Sequence, residues 1–105
     1  MVFNTGAALL DAVVLAVVSK DEHGTYGYKI TQDVRSAIDV SESTLYPVLR
    51  RLKKEQFLDV HDIECQGRNR RYYQITESGK TQLDFYKKEW IDYSQEINKL
   101  FAGEV

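Results

Sequence analysis

The chain has 105 residues, of which 43% are hydrophobic and 29% are charged. This composition fits one globular domain and excludes a chain that is disordered as a whole. The one cysteine, Cys65, excludes an internal disulfide and with it a secreted fold that disulfides hold together. The formal net charge of −2 excludes a surface that is basic throughout, so positive charge is confined to local clusters.

The first predicted element is a helix over residues 7–19. The run is interrupted by Asp11, has no basic residue ahead of it and is too short to span a bilayer. We therefore expect a cytoplasmic protein that does not bind membranes. Periodicity alone does not exclude a strand for residues 12–18, because these residues are apolar on almost every side. The length of the run and its regularly spaced alanines favour a helix with neighbours on several sides.

Two further helices follow, joined by a short turn. Thr25 is the predicted N-cap of a helix over 25–37. The next helix, over 42–55, is capped by Ser41 or Ser43. Pro47 is placed near its first turn, where a missing N–H costs least. Its apolar residues follow the i, i+3, i+4, i+7 pattern of one buried face: Leu45, Val48, Leu49 and Leu52. Its opposite face presents Ser43, Pro47, Arg50 and Lys54, flanked by Tyr46 and Arg51.

Two strands are predicted next, over 58–65 and 70–76. The second alternates regularly, whereas the apolar residues of the first change parity, for which we expect a bulge near Asp62. The intervening residues 66–69 contain Gly67 and Asn69, which suit a turn with positive φ. The pattern predicts a β-hairpin whose tip is basic.

The last predicted element is a helix from near Thr76 or Ser78 to about Phe101. Six apolar or aromatic residues repeat along it at spacings of three and four: Leu83, Tyr86, Trp90, Tyr93, Ile97 and Leu100. Such a seam needs a partner helix, and a second copy of the chain is the simplest source. We therefore predict a homodimer, with residues 1–77 as one domain and 78–105 as a dimerisation helix.

The order of these elements predicts a mainly α-helical fold with a β-hairpin, an α+β winged helix-turn-helix with a long C-terminal helix. A helix that exposes hydroxyl and basic groups fits the major groove of double-stranded DNA, and a basic hairpin fits phosphates or the minor groove. The alternative is a winged-helix module that binds an acidic protein and no DNA. The predicted DNA-binding residues are Tyr28, Lys29, Gln32, Ser43, Thr44, Tyr46, Pro47, Arg50, Arg51, Lys54, Arg68, Asn69 and Arg70.

Several segments resemble the PadR-like transcriptional regulators. Residues 44–52, TLYPVLRRL, are similar to the recognition-helix signature of that family, and residues 26–28, YGY, to the entry of its second helix. Residues 67–73 and 75–79 are similar to its wing and second strand. The matches stand in the expected order and cover most of residues 8–80. Asn69 stands where the family often has proline.

The resemblance implies a repressor with one terminal dimerisation helix. It also implies a planar aromatic ligand at the dimer interface, stacked on a tryptophan that Trp90 matches, with Tyr86 and Tyr93 one turn to either side. Dimer core remains the alternative role for these aromatic residues.

Enzymatic chemistry is not indicated by the sequence. It contains no recognisable nucleophile–base constellation, phosphate loop or zinc signature, so we expect no enzyme, no metal and no cofactor. His23 and His61 lack further ligands at metal-binding spacing. Cys65 has no obvious activating base, which favours a strand residue over a redox-sensing thiol without excluding the latter.

Overall fold

A computed structural model of the protein describes residues 5–104, apart from the side chain of Cys65. Within this range the elements are α1 (Ala7–Ser19), β1 (Thr25–Tyr26), α2 (Gly27–Ala37), α3 (Glu42–Lys54), β2 (Leu58–Cys65), β3 (Arg68–Ile75) and α4 (Glu77–Phe101). The strands form one antiparallel sheet in the order β1-β3-β2. The predicted α+β fold, with a winged helix-turn-helix and a long terminal helix, is confirmed.

Helix α1 lies at the centre of the hydrophobic core. It contacts α2, α3, α4 and β3, which explains why its sequence is apolar on nearly every side. Val14, Leu15 and Val18 are fully buried. The helical alternative for this segment is therefore correct, and the strand alternative is wrong.

The entry to α2 differs from the prediction. Thr25 is not the N-cap, because Thr25 and Tyr26 form strand β1, which pairs with Tyr73 and Tyr72 of β3. The N-cap of α2 is Tyr26, and no side-chain hydrogen bond caps this helix. A two-residue strand depends on a partner some fifty residues away, and no local periodicity reveals it.

Helix α3 begins at Glu42, as predicted, but the position of Pro47 within it differs from the prediction. Ser41 is its N-cap, and its Oγ accepts a hydrogen bond of 3.3 Å from the Thr44 N–H. Pro47 therefore lies inside the helix rather than near its first turn. The lost hydrogen bond would have ended on the carbonyl of Ser43, an exposed residue that water reaches. The four predicted core residues of this helix are all buried.

The β2–β3 hairpin, here called the wing, is more regular than predicted. Pairing runs without interruption from Leu58 opposite Ile75 to Cys65 opposite Arg68, so the bulge expected near Asp62 is absent. The change of parity has another cause: Ile63 lies on the opposite face from Leu58 and is 40% exposed, because this part of the wing extends beyond the core. Gln66 and Gly67 have φ of 54° and 77° and form a two-residue turn of the kind that matches strand twist.

Helix α4 starts against the wing and then runs past the domain. The Oγ1 of its N-cap, Thr76, accepts a hydrogen bond of 2.9 Å from the Gly79 N–H. Leu83 belongs to the core, whereas Phe101 at the far end is 86% exposed. The chain accordingly measures 59 Å along its longest axis and 27 Å along the next. Most residues in the second half of this helix are exposed.

The close approach of α4 to the wing predicts the effect of Gly79→Ala. A Cβ at this position would overlap the Phe57 carbonyl oxygen and lie 2.8 Å from Cγ1 of Ile75. We expect a loss of about 1–3 kcal/mol in the free energy of unfolding, because neither neighbour can move freely. Urea unfolding at one fixed protein concentration measures it, with the exposed Lys80→Ala as control. Equal stability of the two variants would contradict this packing.

Candidate nucleic-acid interface

The outer face of α3 carries an exposed stripe of polar and basic side chains. Ser43, Pro47, Arg50 and Lys54 are all exposed, as the helical period predicted. Tyr46 beside them is 38% exposed. The stripe stays outside because the opposite face of α3 is anchored in the core by its four apolar residues.

The wing and the start of α2 close a cleft around part of this stripe. The cleft, here called the wing cleft, has a volume of about 640 Å³. Six predicted DNA-binding residues line it together: Tyr28, Tyr46, Arg50, Arg68, Asn69 and Arg70. Four residues that we did not predict complete the lining: Tyr26, Gly27, Arg71 and Tyr73. Arg71 and Tyr73 have the same parity in the regularly alternating second strand, which places them on one face, and this was the available signal for them.

The cleft is basic despite the acidic chain. Its lining includes four arginines and no carboxylate. Arg71 is the most neutralised of them, since its Nε lies 3.5 Å from Oδ1 of Asp62 on the neighbouring strand. Burial raises the pKa of the Tyr73 phenol, although Arg71 and Arg50 act in the opposite direction. Tyr73 therefore stays neutral at physiological pH and leaves the positive charge of the cleft uncompensated.

The other predicted DNA-binding residues border the cleft without lining it. Lys29 and Gln32 are exposed on α2, and the Gln32 Nε2 donates a 2.9 Å hydrogen bond to the Tyr28 hydroxyl. At the start of α3, the Ser41 Oγ lies 3.0 Å from the Ser43 hydroxyl and 2.9 Å from that of Thr44. These hydroxyls sit beside the free N–H groups of a helix N-terminus, a setting that suits an anion.

Arg51 lies apart from the other predicted DNA-binding residues. Its Nη2 forms an ion pair with Oδ1 of Asp11 on α1. The Asp11 residue is only 6% exposed, so its carboxylate needs a cation nearby. Arg51 thus serves the packing of α3 on α1, although its side chain stays 41% exposed. The sequence pattern did not reveal this partner, because Asp11 is forty residues away.

The same carboxylate also meets α4. The Tyr86 hydroxyl donates to Oδ2 of Asp11 across a long distance of 3.5 Å. Burial raises the pKa of Asp11, while the Arg51 guanidinium lowers it. Helices α1, α3 and α4 therefore converge on one buried carboxylate.

A second surface is the apolar groove between α1 and α4, with a volume of about 320 Å³. Tyr86, Lys87 and Trp90 line it, together with Leu83, Leu9 and other apolar residues of α1. Trp90 is 42% exposed, and its ring centroid lies 6.2 Å from that of Tyr93. Tyr93 itself does not line the groove, and Ile97 and Leu100 lie farther along α4.

Two other kinds of site are absent from the described residues. Between residues 5 and 104, apart from the Cys65 side chain, no His, Cys, Asp or Glu side chains form a group of three that would hold a metal ion. No helix in that stretch combines the length and apolar character needed to cross a membrane.

These elements define a winged helix-turn-helix, in which α3 is the recognition helix. The model of the Transcriptional regulator PadR-like family matches residues 14–84. The chain belongs to this family, which is one of transcriptional regulators and not of enzymes.

Solved structures support the same assignment. The smu.1704 protein of Streptococcus mutans UA159 is 38% identical, with a TM-score of 0.85 over 100% of this chain and 97% of that one. The PadR-like regulator BC4206 of Bacillus cereus is 29% identical, with a TM-score of 0.79 over 92% and 95% of the two chains. Bacillus subtilis PadR, solved in complex with operator DNA, shares the fold at 24% identity and a TM-score of 0.67, over 74% of this chain and 46% of that one.

The buried ion pair predicts a pH-dependent defect in Arg51→Met. The variant keeps an apolar stem but leaves Asp11 without its cation, so we expect a loss of about 1–3 kcal/mol in unfolding free energy at neutral pH. The pKa of Asp11, which burial already raises above its value in the unfolded chain, then rises further. Stability is therefore regained as the pH falls through this raised pKa, and the deficit is smaller at about pH 5.

Urea unfolding at the two pH values measures this effect. Adding Asp11→Asn to the variant removes the unpaired buried charge. This control should therefore recover most of the lost unfolding free energy at neutral pH. A deficit that grew on acidification would contradict the assigned role of the pair.

Proposed function

We propose that the protein is a homodimeric, sequence-specific DNA-binding repressor. The observation that carries this proposal is the wing cleft, where the exposed face of α3 and the arginines of the wing converge without any lining carboxylate. A helix of this size fits the major groove, and a wing beside it reaches the neighbouring backbone or minor groove. Bacillus subtilis PadR, which shares the fold, has been solved in complex with operator DNA, and this supports the DNA-binding part of the proposal. A protein with this function would act in the cytoplasm.

The contacts fall into two kinds. Arg50 is long enough to donate to O6 and N7 of guanine, so it is our candidate for reading bases. Ser43 and Thr44 at the start of α3, with Arg68 and Arg70 on the wing, are candidates for phosphate contacts. Tyr28, Tyr46 and Asn69 line the same cleft as Arg50, Arg68 and Arg70. Lys29, Gln32, Pro47 and Lys54 extend the proposed surface along α2 and α3.

Replacement of Arg50 by alanine tests the base-reading role. We expect operator affinity to fall by about 1–3 kcal/mol and preference to relax at one base pair, because the guanine loses a bidentate partner. Fluorescence anisotropy with a set of single-base operator variants measures both effects. Lys80→Ala removes the same charge outside the cleft and serves as control. Unchanged preference in Arg50→Ala would exclude Arg50 from base reading.

The proposed dimer rests on α4. In the single chain, the seam residues Trp90 and Leu100 are 42% and 56% exposed. A second copy of the chain offers the matching apolar surface. In this assembly residues 78–105 act as the dimerisation helix of the winged-helix domain 1–77. Two recognition helices on one side of a duplex then require half-sites about 10 bp apart.

Trp90→Ala is expected to weaken the dimer, since it removes a large aromatic side chain from the middle of the seam. Sedimentation velocity over a concentration series measures the dissociation constant, which should rise by about tenfold or more. The control is Lys88→Ala, an exposed residue of α4 outside the seam. An unchanged dissociation constant for Trp90→Ala would remove Trp90 from the interface.

We also propose that a planar aromatic ligand relieves repression from the α1–α4 groove. Tyr86 and Trp90 give the groove faces on which a flat, cationic ring system can stack, and Tyr93 stands beside Trp90. Such a ligand acts only if it binds the DNA-competent and incompetent states unequally. Trp90 is the one tryptophan of the chain, so quenching of its fluorescence by ethidium in the absence of DNA tests binding directly. No quenching would count against this ligand class.

The alternative function is a protein-interaction module whose basic cleft binds an acidic partner. The net charge of −2 is the observation that favours it. Binding to nonspecific duplex at low salt separates the two, because a DNA-binding protein retains electrostatic affinity for any duplex under those conditions.

A further inference from the structure

We infer that Tyr26 is a positioning residue for DNA binding, which holds the Arg70 guanidinium ready for a phosphate. The inference rests on the proposed function, in which Arg70 contacts the DNA backbone. The central observation is that Cζ of Arg70 lies 4.9 Å from the centroid of the Tyr26 ring. This distance is within the range of a cation–π interaction.

The need for such a residue follows from the exposure of Arg70. Arg70 is exposed on β3 near the tip of the wing, and a free arginine side chain loses rotamer entropy when one geometry is fixed. A side chain that is already ordered in the free protein loses less entropy when DNA binds. The aromatic face of Tyr26 can supply that order.

The chemical type of the partner decides whether Arg70 remains available to a phosphate. A carboxylate partner would occupy the N–H donors of the guanidinium and cancel its charge, as Asp62 does in part for Arg71. A ring face leaves the N–H donors at the guanidinium edge free and the charge intact. In the described part of the chain, no ion pair joins Arg70 to a carboxylate. Arg70 is therefore both oriented and available.

Tyr26 is itself held in place by the sheet. It pairs with Tyr72 across β1 and β3, and the centroids of these two rings lie 5.9 Å apart. Tyr72 in turn stacks on His61 of β2, at 6.2 Å and an interplanar angle of 19°. The three rings cross all three strands on one face, and Arg70 lies on that face two residues before Tyr72.

Tyr26 also joins the wing to the helix-turn-helix. It is the N-cap of α2 and lines the wing cleft together with Arg50 and Arg70. The position of the wing arginine is thereby fixed relative to the recognition helix. This gives the two-residue strand β1 a role in recognition as well as in folding.

A double-mutant cycle tests the inference. Operator affinity is measured by fluorescence anisotropy for the unmodified chain, Tyr26→Leu, Arg70→Gln and the double variant. We expect Tyr26→Leu to weaken binding about two- to fivefold, which is the range of an exposed cation–π contact. In the Arg70→Gln background the same change should have no further effect, because its target is gone. Tyr26→Phe keeps the ring face and should restore most of the affinity lost in Tyr26→Leu.

Circular dichroism and urea unfolding establish that each variant is folded, and Tyr26→Ile replaces Tyr26→Leu if the latter is not. An equal loss in both backgrounds, or a Tyr26→Phe variant as weak as Tyr26→Leu, would overturn the inference. It would also be overturned if Arg70→Gln changed neither affinity nor the dependence of affinity on salt, since Arg70 would then make no phosphate contact. The proposed function fails separately, when the unmodified chain binds no duplex.

Discussion

The rotation of the recognition helix about its own axis depends on the ion pair between Arg51 and Asp11. Apolar packing holds α3 against α1 but is not directional, and four buried aliphatic residues tolerate small rotations. A guanidinium that must meet a buried carboxylate allows far fewer orientations. Arg51 lies beside the exposed stripe, so its contact with Asp11 limits how far Arg50 and Lys54 can turn toward the core. The four apolar residues and this ion pair together keep the stripe outward.

Charge is distributed so that a chain with a net charge of −2 still presents a basic cleft. Several acidic residues are paired with cations away from it: Asp11 with Arg51, Glu77 with Lys80, and Glu96 with Lys99. Four arginines and several tyrosines line the cleft without a carboxylate among them. The tyrosines contribute ring faces that orient cations and hydroxyls that donate hydrogen bonds, without adding negative charge. The local arrangement of charged groups, and not the net charge, decides which ligands such a surface attracts.

Local patterns predicted what local interactions determine. Helix α1 has the predicted bounds, Ser41 caps α3 as one of two expected candidates, and α4 ends at Phe101 as expected. Two of the departures involve partners distant in sequence. Thr25 pairs with β3 instead of capping a helix, Arg51 reaches back to Asp11, and the wing needs no bulge because its outer half leaves the core. Six of the predicted DNA-binding residues line one cleft. Tyr26 also lines it but was not predicted, because the strand that contains it has only two residues.

The most direct test of this account is the salt dependence of binding to a duplex that carries the DNA upstream of the protein's own gene. Fluorescence anisotropy is measured with this duplex and with a scrambled duplex over a series of salt concentrations. The account predicts tighter binding to the upstream duplex, with log affinity falling linearly against log salt at a slope set by about three to five phosphate contacts per protomer. Failure to bind either duplex at low salt would contradict it and would leave the basic cleft to a protein partner.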